Sequence, residues 1–182
     1  MKPRITLPLL LAATFALSAC VSQSTYKQEV GKANTYQQLD NQLKGEVAAD
    51  QAQITQLQGL VRVTLANGIL FPEGGWELNA DGKKTLGKLA PVLKTLTGQT
   101  IRVKGYTDNV PIGPELRQRF ATNLELSKAR AQSVASELAA QGVPAAMLSV
   151  EGFGEADPVA SNDTPQGRAK NRRVVMDIVE TK

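Results

Sequence analysis

Apolar and polar positions are distributed in three different ways along this chain of 182 residues. The first is a block at the start. Lys2 and Arg4 precede Ile5–Ala16, which is apolar except for Thr6, Pro8 and Thr14, and Leu17-Ser18-Ala19-Cys20 follows. A spanning helix needs about 20 apolar residues, so this stretch is too short to cross a bilayer. A basic start, an apolar run and small residues at its end predict a secretory signal over residues 1–19. The second pattern, Ser22–Gln58, is polar, with nine Gln and no Pro. With Tyr26 as heptad position a, the a positions are Tyr26, Ala33, Asp40, Val47, Ile54 and Val61. Position d holds Glu29, Tyr36, Leu43, Asp50 and Leu57. This seam is apolar only toward its end, and Gly31, Gly45 and Gly59 recur on the opposite face. Each glycine costs a helix about 1 kcal/mol relative to alanine. Residues 20–59 therefore read as a marginal helical or coiled-coil stalk, whose Ser22–Gln58 part would be about 55 Å long if fully helical. A disordered linker would serve as the same tether.

The third pattern begins at Leu60. Val61, Val63 and Leu65 alternate with Arg62 and Thr64, which predicts a half-buried strand. Asn67-Gly68 reads as a hairpin turn into Ile69-Leu70-Phe71. Asn79 is an N-cap candidate, and Leu86, Leu89, Ala90 and Leu93 follow at helical spacing. Pro91 conflicts with that pattern and predicts a kink or a split. A second strand is expected over Thr100–Tyr106. A second helix is expected to be capped by Ser127, to bury Ala131, Val134, Ala135 and Leu138, and to stop at Gly142. Leu148–Gly152 and Val174–Val179 read as further strands, with a short helix opened by Thr164-Pro165 between them. Alternating strands and helices predict an α/β domain over residues 60–182, helices packed on a mixed four-stranded sheet, preceded by the helical stalk.

Composition narrows the chemistry. There is no His and one Cys, and aromatics make up 4% of the chain. Without His, the usual general base, zinc ligand and hydrolase triad are missing. Sparse aromatics disfavour a stacking surface for single-stranded nucleic acid. An enzyme is not expected, nor is a cofactor or a metal. Ser24-Thr25-Tyr26-Lys27 has the S-x-x-K form of penicillin-binding enzymes, but no S-D-N or K-T-G accompanies it. Glu151-Gly152-Phe153-Gly154 lacks the third glycine and the helix of a dinucleotide loop.

Cys20 directly follows small residues at the end of the signal and resembles the lipobox of bacterial lipoproteins. That resemblance implies cleavage before Cys20 and acylation of its sulfur and of the new amino terminus. Several acyl chains make a stable anchor, at about 0.8 kcal/mol per buried CH₂. A buried or reactive free thiol is the other reading. In enteric-type lipoproteins Asp after the Cys marks inner-membrane retention, so Val21 points to the outer membrane. The mature chain would carry 19 basic and 17 acidic residues, too small an excess to suggest a nucleic-acid partner.

Two charged residues stand out in the globular part. Asp108 follows the second strand in Gly105-Tyr106-Thr107-Asp108-Asn109, where Asp-Asn also suits a turn. Arg130 falls three residues after the expected Ser127 cap. The helix dipole there disfavours a cation by about 0.3–1 kcal/mol, which suggests a compensating anion. A guanidinium at a helix N-terminus makes a carboxylate site. An internal pair of Arg130 with Asp108 or Glu125 is the alternative. Together Asp108 and Arg130 suit a zwitterion, with an ammonium on the carboxylate and a carboxylate on the guanidinium.

Several ordered motifs now carry a more specific resemblance. Gly105-Tyr106-Thr107-Asp108-Asn109 is followed by Asn123, by Leu126-Ser127-Lys128-Ala129-Arg130-Ala131 with Val134, and by Gly142-Val143. Gly152-Phe153-Gly154 with Pro158, and Gly167-Arg168-Ala169-Lys170-Asn171-Arg172-Arg173-Val174, complete the set. Over 60–182 the chain resembles the OmpA-like C-terminal domain of peptidoglycan-associated lipoproteins and flagellar motility protein B. The resemblance implies a βαβαβ(α)β fold and non-covalent binding of peptidoglycan through meso-diaminopimelate of the stem peptide. It implies that Asp108 takes the diaminopimelate ammonium and Arg130 its carboxylate. Asn123 is implied as a supporting residue, Arg172 as a further binding Arg, and Thr107 as a shaper of the loop. Arg172 also reads as a solvated Arg or as a partner of Asp177.

Residues 109–122 are longer than in the plain outer-membrane members and resemble the motility branch. With Val110-Pro111-Ile112-Gly113-Pro114, Arg117 and Arg119, this loop would add ligand contacts, bind an envelope protein, or form an ordered surface lid. The expectation is an outer-membrane lipoprotein that tethers the membrane to the cell wall, its domain facing the periplasm. The alternative is a regulatory or assembly lipoprotein whose stalk or 109–122 loop binds another envelope protein. A cell-wall hydrolase is disfavoured by the missing His.

Overall fold

The computed structural model describes residues 23–181. The expected signal and the lipidation site at Cys20 lie outside the described residues. In chain order the elements are α1 (Gln23–Gln42), α2 (Lys44–Ala48), β1 (Ala52–Leu57), β2 (Leu60–Ala66), α3 (Asn67–Leu70), α4 (Ala80–Leu93) and β3 (Gln99–Gly105). Then follow α5 (Pro114–Arg117), α6 (Asn123–Ala140), β4 (Leu148–Gly152), α7 (Pro165–Asn171) and β5 (Arg173–Glu180). The strands form one mixed sheet in the order β1-β2-β5-β3-β4, parallel only between β3 and β4.

Alternation on the strands builds the core. Val61, Val63 and Leu65 of β2, Ile101 and Val103 of β3, and Val174, Met176 and Ile178 of β5 are buried together. They pack with Leu86, Leu89 and Leu93 of α4 and Ala131, Val134 and Leu138 of α6. The opposite face of the sheet holds Asp177, which accepts from Arg62 at 2.6 and 2.9 Å and from Lys104 at 2.9 Å. Asp177 is thereby committed to β2 and β3 and makes no pair with Arg172.

The sheet has five strands where four were expected, and the difference lies N-terminal to residue 60. Ala52–Leu57 is a strand, with Ile54 opposite Val63 and Leu57 opposite Leu60. The heptad reading of Ile54 and Leu57 fails because alternation of Ala52 and Ile54 with Gln51, Gln53 and Thr55 fits a strand's period of two. Asp50 at φ 56° ends the preceding turn, and Gly59 at φ 87° closes the hairpin. A continuous helix across 23–58 does not form. Leu43, expected on the coiled-coil seam, lies fully buried in the domain core together with Leu39. Glu46 of α2 also pairs with Lys88 of α4 at 2.5 Å.

Three local expectations are also corrected. Asn67-Gly68 opens the turn of helix α3 rather than a hairpin, because Asn67 N–H donates to Arg172 O and Phe71 N–H to Asn67 O. The second long helix begins at Asn123, capped by Thr122, whose Oγ1 accepts from Glu125 N–H at 3.2 Å. Glu125 returns a bond to Ala121 N–H at 2.7 Å; Thr-x-x-Glu was the readable signal. Pro91 lies inside α4 and splits nothing, since it is exposed and two residues from the end. The Asn79 cap, the Thr164-Pro165 helix start and the turn at Gly142 (φ 93°) follow the expectations. Among the described residues no helix is long and apolar enough to cross a membrane.

Candidate functional site

Three neighbouring strands end side by side at one edge of the core. Ala66 of β2 faces Arg173 of β5, and Gly105 of β3 faces Val174. The next residues outward on these strands are therefore Asn67, Arg172, and Tyr106-Thr107. Tyr106 N–H donates to Arg173 O at 2.9 Å, and Thr107 N–H donates to Gly154 O at 2.7 Å. Helix α6 lies close across this corner. A Cβ on Gly105 would meet Ser127 O at 2.0 Å, and one on Gly152 would meet Leu124 O at 2.6 Å. Ser127 is no cap. Fully buried, its Oγ donates to Leu124 O and accepts from Gly154 N–H, which rivets α6 to the 153–154 turn.

Asp108 sits in this corner with both oxygens used. Oδ1 accepts from Val110 N–H at 3.2 Å, closing the turn that Asp-Asn suggested. Oδ2 accepts from Arg172 Nη1 at 2.5 Å. The turn reading and the site reading of Asp108 are thus both satisfied by one residue. Asn123 Nδ2 donates to Val110 O at 3.1 Å and reaches Asp108 O and Glu155 Oε2 at 3.5 Å, so it holds the loop over the carboxylate.

Arg130 is two turns into α6, not in its first turn, so the dipole argument for an anion does not apply. Burial supplies a stronger one. Arg130 is 6% exposed, and no carboxylate pairs with it among the described residues. Nε donates to Gly75 O at 2.8 Å, and the guanidinium lies 5.7 Å from the Phe71 ring centre. Burial, together with the positive charge of Arg172, lowers its pKa to about 10, against the opposing attraction of Asp108. It remains a cation at neutral pH, short of a counter-charge.

These groups share one open cleft of about 1350 Å³. Thr107, Asp108, Asn123, Arg130 and Arg172, the five residues singled out in the sequence, all line it. The 109–122 loop forms the opposite wall, through Val110–Leu116. It is folded around buried Ile112 and the short helix α5. Its arginines are engaged: Arg117 Nε donates to Ile112 O at 3.1 Å, and Arg119 lies 4.9 Å from the Trp76 ring centre. Trp76 meets Phe120 edge-on at 5.3 Å. Sequence reasoning missed Asn67, Phe71 and Trp76 as cleft residues, because nothing local relates the 67–76 segment to Asp108. The Asn171 side chain, fully buried, accepts from Val159 and Ala160 N–H and donates to Ala160 O and Asn162 Oδ1. That network fixes the chain immediately before Arg172.

The sequence model of the OmpA family matches residues 70–172. The chain is 36% identical over 132 residues to the probable lipoprotein YiaD of Escherichia coli, a match covering 72% of this chain and 57% of YiaD. It is 35% identical over 136 residues to the outer-membrane lipoprotein YfiB of Pseudomonas aeruginosa, covering 71% of this chain and 77% of YfiB. Among solved structures, the cell wall anchor of the T6SS from Pseudomonas aeruginosa superposes with a TM-score of 0.71 at 30% identity. That superposition covers 78% of this chain and 96% of the anchor. The mixed sheet with its packed helices is shared with these OmpA-like domains.

Proposed function

Since this chain belongs to the OmpA family, we propose that it binds peptidoglycan non-covalently, through the meso-diaminopimelate of the stem peptide. The observation that carries the reading is the charge arrangement of the cleft: buried, unpaired Arg130 beside the Asp108–Arg172 pair. Two guanidinium groups and one carboxylate leave a net positive charge. A free amino acid head supplies one ammonium and one carboxylate. Its carboxylate would bridge Arg130 and Arg172, and its ammonium would take the Asp108 oxygen that Arg172 now holds. Charge-assisted hydrogen bonds of this kind contribute about 1.5–3 kcal/mol each. Asn123 and Thr107 keep the 107–110 turn in place for this exchange. The binding makes and breaks no covalent bond.

An anchor at Cys20 would complete the tether, with the outer membrane at one end and the cell wall at the other. The relatives support this placement, since YiaD and YfiB are named as lipoproteins and YfiB as an outer-membrane one. The superposed cell wall anchor supports the binding. The test is co-sedimentation of the full chain with purified sacculi. Asp108→Ala should weaken the apparent affinity for sacculi at least tenfold, from loss of about 1.5–3 kcal/mol of charge-assisted bonding, while circular dichroism remains unchanged. A folded variant that pellets as well as the parent would overturn the assigned site.

A further inference from the structure

The charged groups of the cleft leave two polar side chains without a task. Asn67 lines the cleft and is 7% exposed, yet neither its Oδ1 nor its Nδ2 has a hydrogen-bond partner among the described residues. Buried amides are normally paired, and an unpaired one in a native fold calls for an explanation. Thr107 Oγ1, also lining the cleft and 4% exposed, is unpaired as well. Strand register places both against Arg172. Asn67 N–H donates to Arg172 O at 3.0 Å, and Thr107 follows the β3 residues that pair with β5 on its other side. Both are neutral and carry a donor as well as an acceptor. A carboxamide offers two donors and one acceptor, and its natural complement is another amide.

We propose that Asn67 reads a peptide bond of the ligand, with Thr107 beside it, so that the cleft selects diaminopimelate built into a peptide over the free amino acid. This rests on the diaminopimelate reading above and deepens it. Within a stem peptide, one stereocentre of meso-diaminopimelate keeps its ammonium and carboxylate. The other is built into amide bonds. The two centres are four carbon–carbon bonds apart, about 5 Å when extended. Adjacent strands are spaced by about 4.8 Å, so a ligand whose charged head meets Arg172 has its peptide-bonded end within reach of the neighbouring strand. Asn67 sits there. The amide of the ligand would supply the donor and the acceptor that Asn67 lacks.

The experiment is calorimetric titration of the full chain with two probes, free meso-diaminopimelate and the tetrapeptide L-Ala-γ-D-Glu-meso-diaminopimelyl-D-Ala. The parent should bind the tetrapeptide more tightly. Asn67→Ala should weaken the tetrapeptide about tenfold, the effect of losing a paired buried amide, and leave the free amino acid within twofold. Asn67→Ser, which keeps a small polar group at the start of α3, should fall between the two; it is also the variant read if Asn67→Ala fails to fold. Equal weakening of both probes would overturn the proposal, since Asn67 would then act only by placing Arg172. Unchanged tetrapeptide binding would overturn it too. A parent that binds free diaminopimelate but shows no preference for the tetrapeptide refutes this inference alone. A parent that binds neither refutes the underlying site reading and the inference with it.

Discussion

Arg130 should trade stability for binding, and Arg130→Met measures the trade. The fold holds this guanidinium near a pKa of about 10 because it is buried beside Arg172. Relative to its ordinary value, that disfavours the charged form by about 3 kcal/mol. Methionine removes the charge and, with it, the cation–π contact with Phe71. It also removes the bond to Gly75 O, worth about 1 kcal/mol. The variant should therefore be more stable by about 1–2 kcal/mol at pH 7, within the range seen when buried charges give way to apolar groups. For a chain of this size that raises Tm by roughly 2–8 °C. The pH dependence has a definite sign. A base with a depressed folded pKa binds fewer protons folded than unfolded, so its penalty is relieved as pH rises through about 10. The stability gap between parent and variant should be constant near neutrality and close above about pH 10. Urea unfolding followed by far-UV circular dichroism at pH 7 and pH 10.5 provides both values. Sacculus binding by the variant should be lost at every pH. A variant destabilised by 1 kcal/mol or more at pH 7 would refute the reasoning, because the guanidinium would then be a net support of the fold.

Two further outcomes test the frame around the site. For Asp177, burial pushes the carboxyl pKa up, but the bonds from Arg62 and Lys104 outweigh it and hold the carboxyl below its ordinary range; its contribution is present above the unfolded pKa and lost as pH falls through the lower folded value. Asp177→Asn should cost about 1–3 kcal/mol at pH 7 and flatten the acid limb of stability below about pH 4, as measured by chemical denaturation across pH 2–7. Leu43→Ala, at a fully buried position where the N-terminal segment enters the core, should cost about 2–5 kcal/mol. Limited trypsin digestion should then cut faster at Lys32 or Lys44, and equal cleavage rates would mean that the α1–α2 segment is not held by this contact.

Signals carried by a few adjacent residues were legible in the chain. Caps at Asn79 and Thr164, the stop at Gly142 and the alternation of Val61, Val63 and Leu65 follow from local backbone chemistry, and the structure keeps each of them. The ordered motifs from Gly105 to Val174 named five residues that one cleft brings together. Strand β1 was not legible, because a short Gln-rich strand gains its stability only from pairing with β2, and its apolar positions also fit a heptad. The Thr122 cap is carried by a local signal, Thr-x-x-Glu, whereas the hydroxyl of Ser127 serves a contact between segments 27 residues apart.

Local patterns in the chain specify most elements after Leu60, the family and the charged groups available for binding. What those groups lack follows from packing alone. Asp108 has Arg172 as its partner because β3 and β5 end side by side, and Asp177 is already held by Arg62 and Lys104. Arg130 is left without a counter-charge, and Asn67 without an amide to pair with, because both are buried where three strands and α6 meet. Burial and unmet hydrogen bonds belong to the packed molecule, since in the unfolded chain water satisfies every one of these groups.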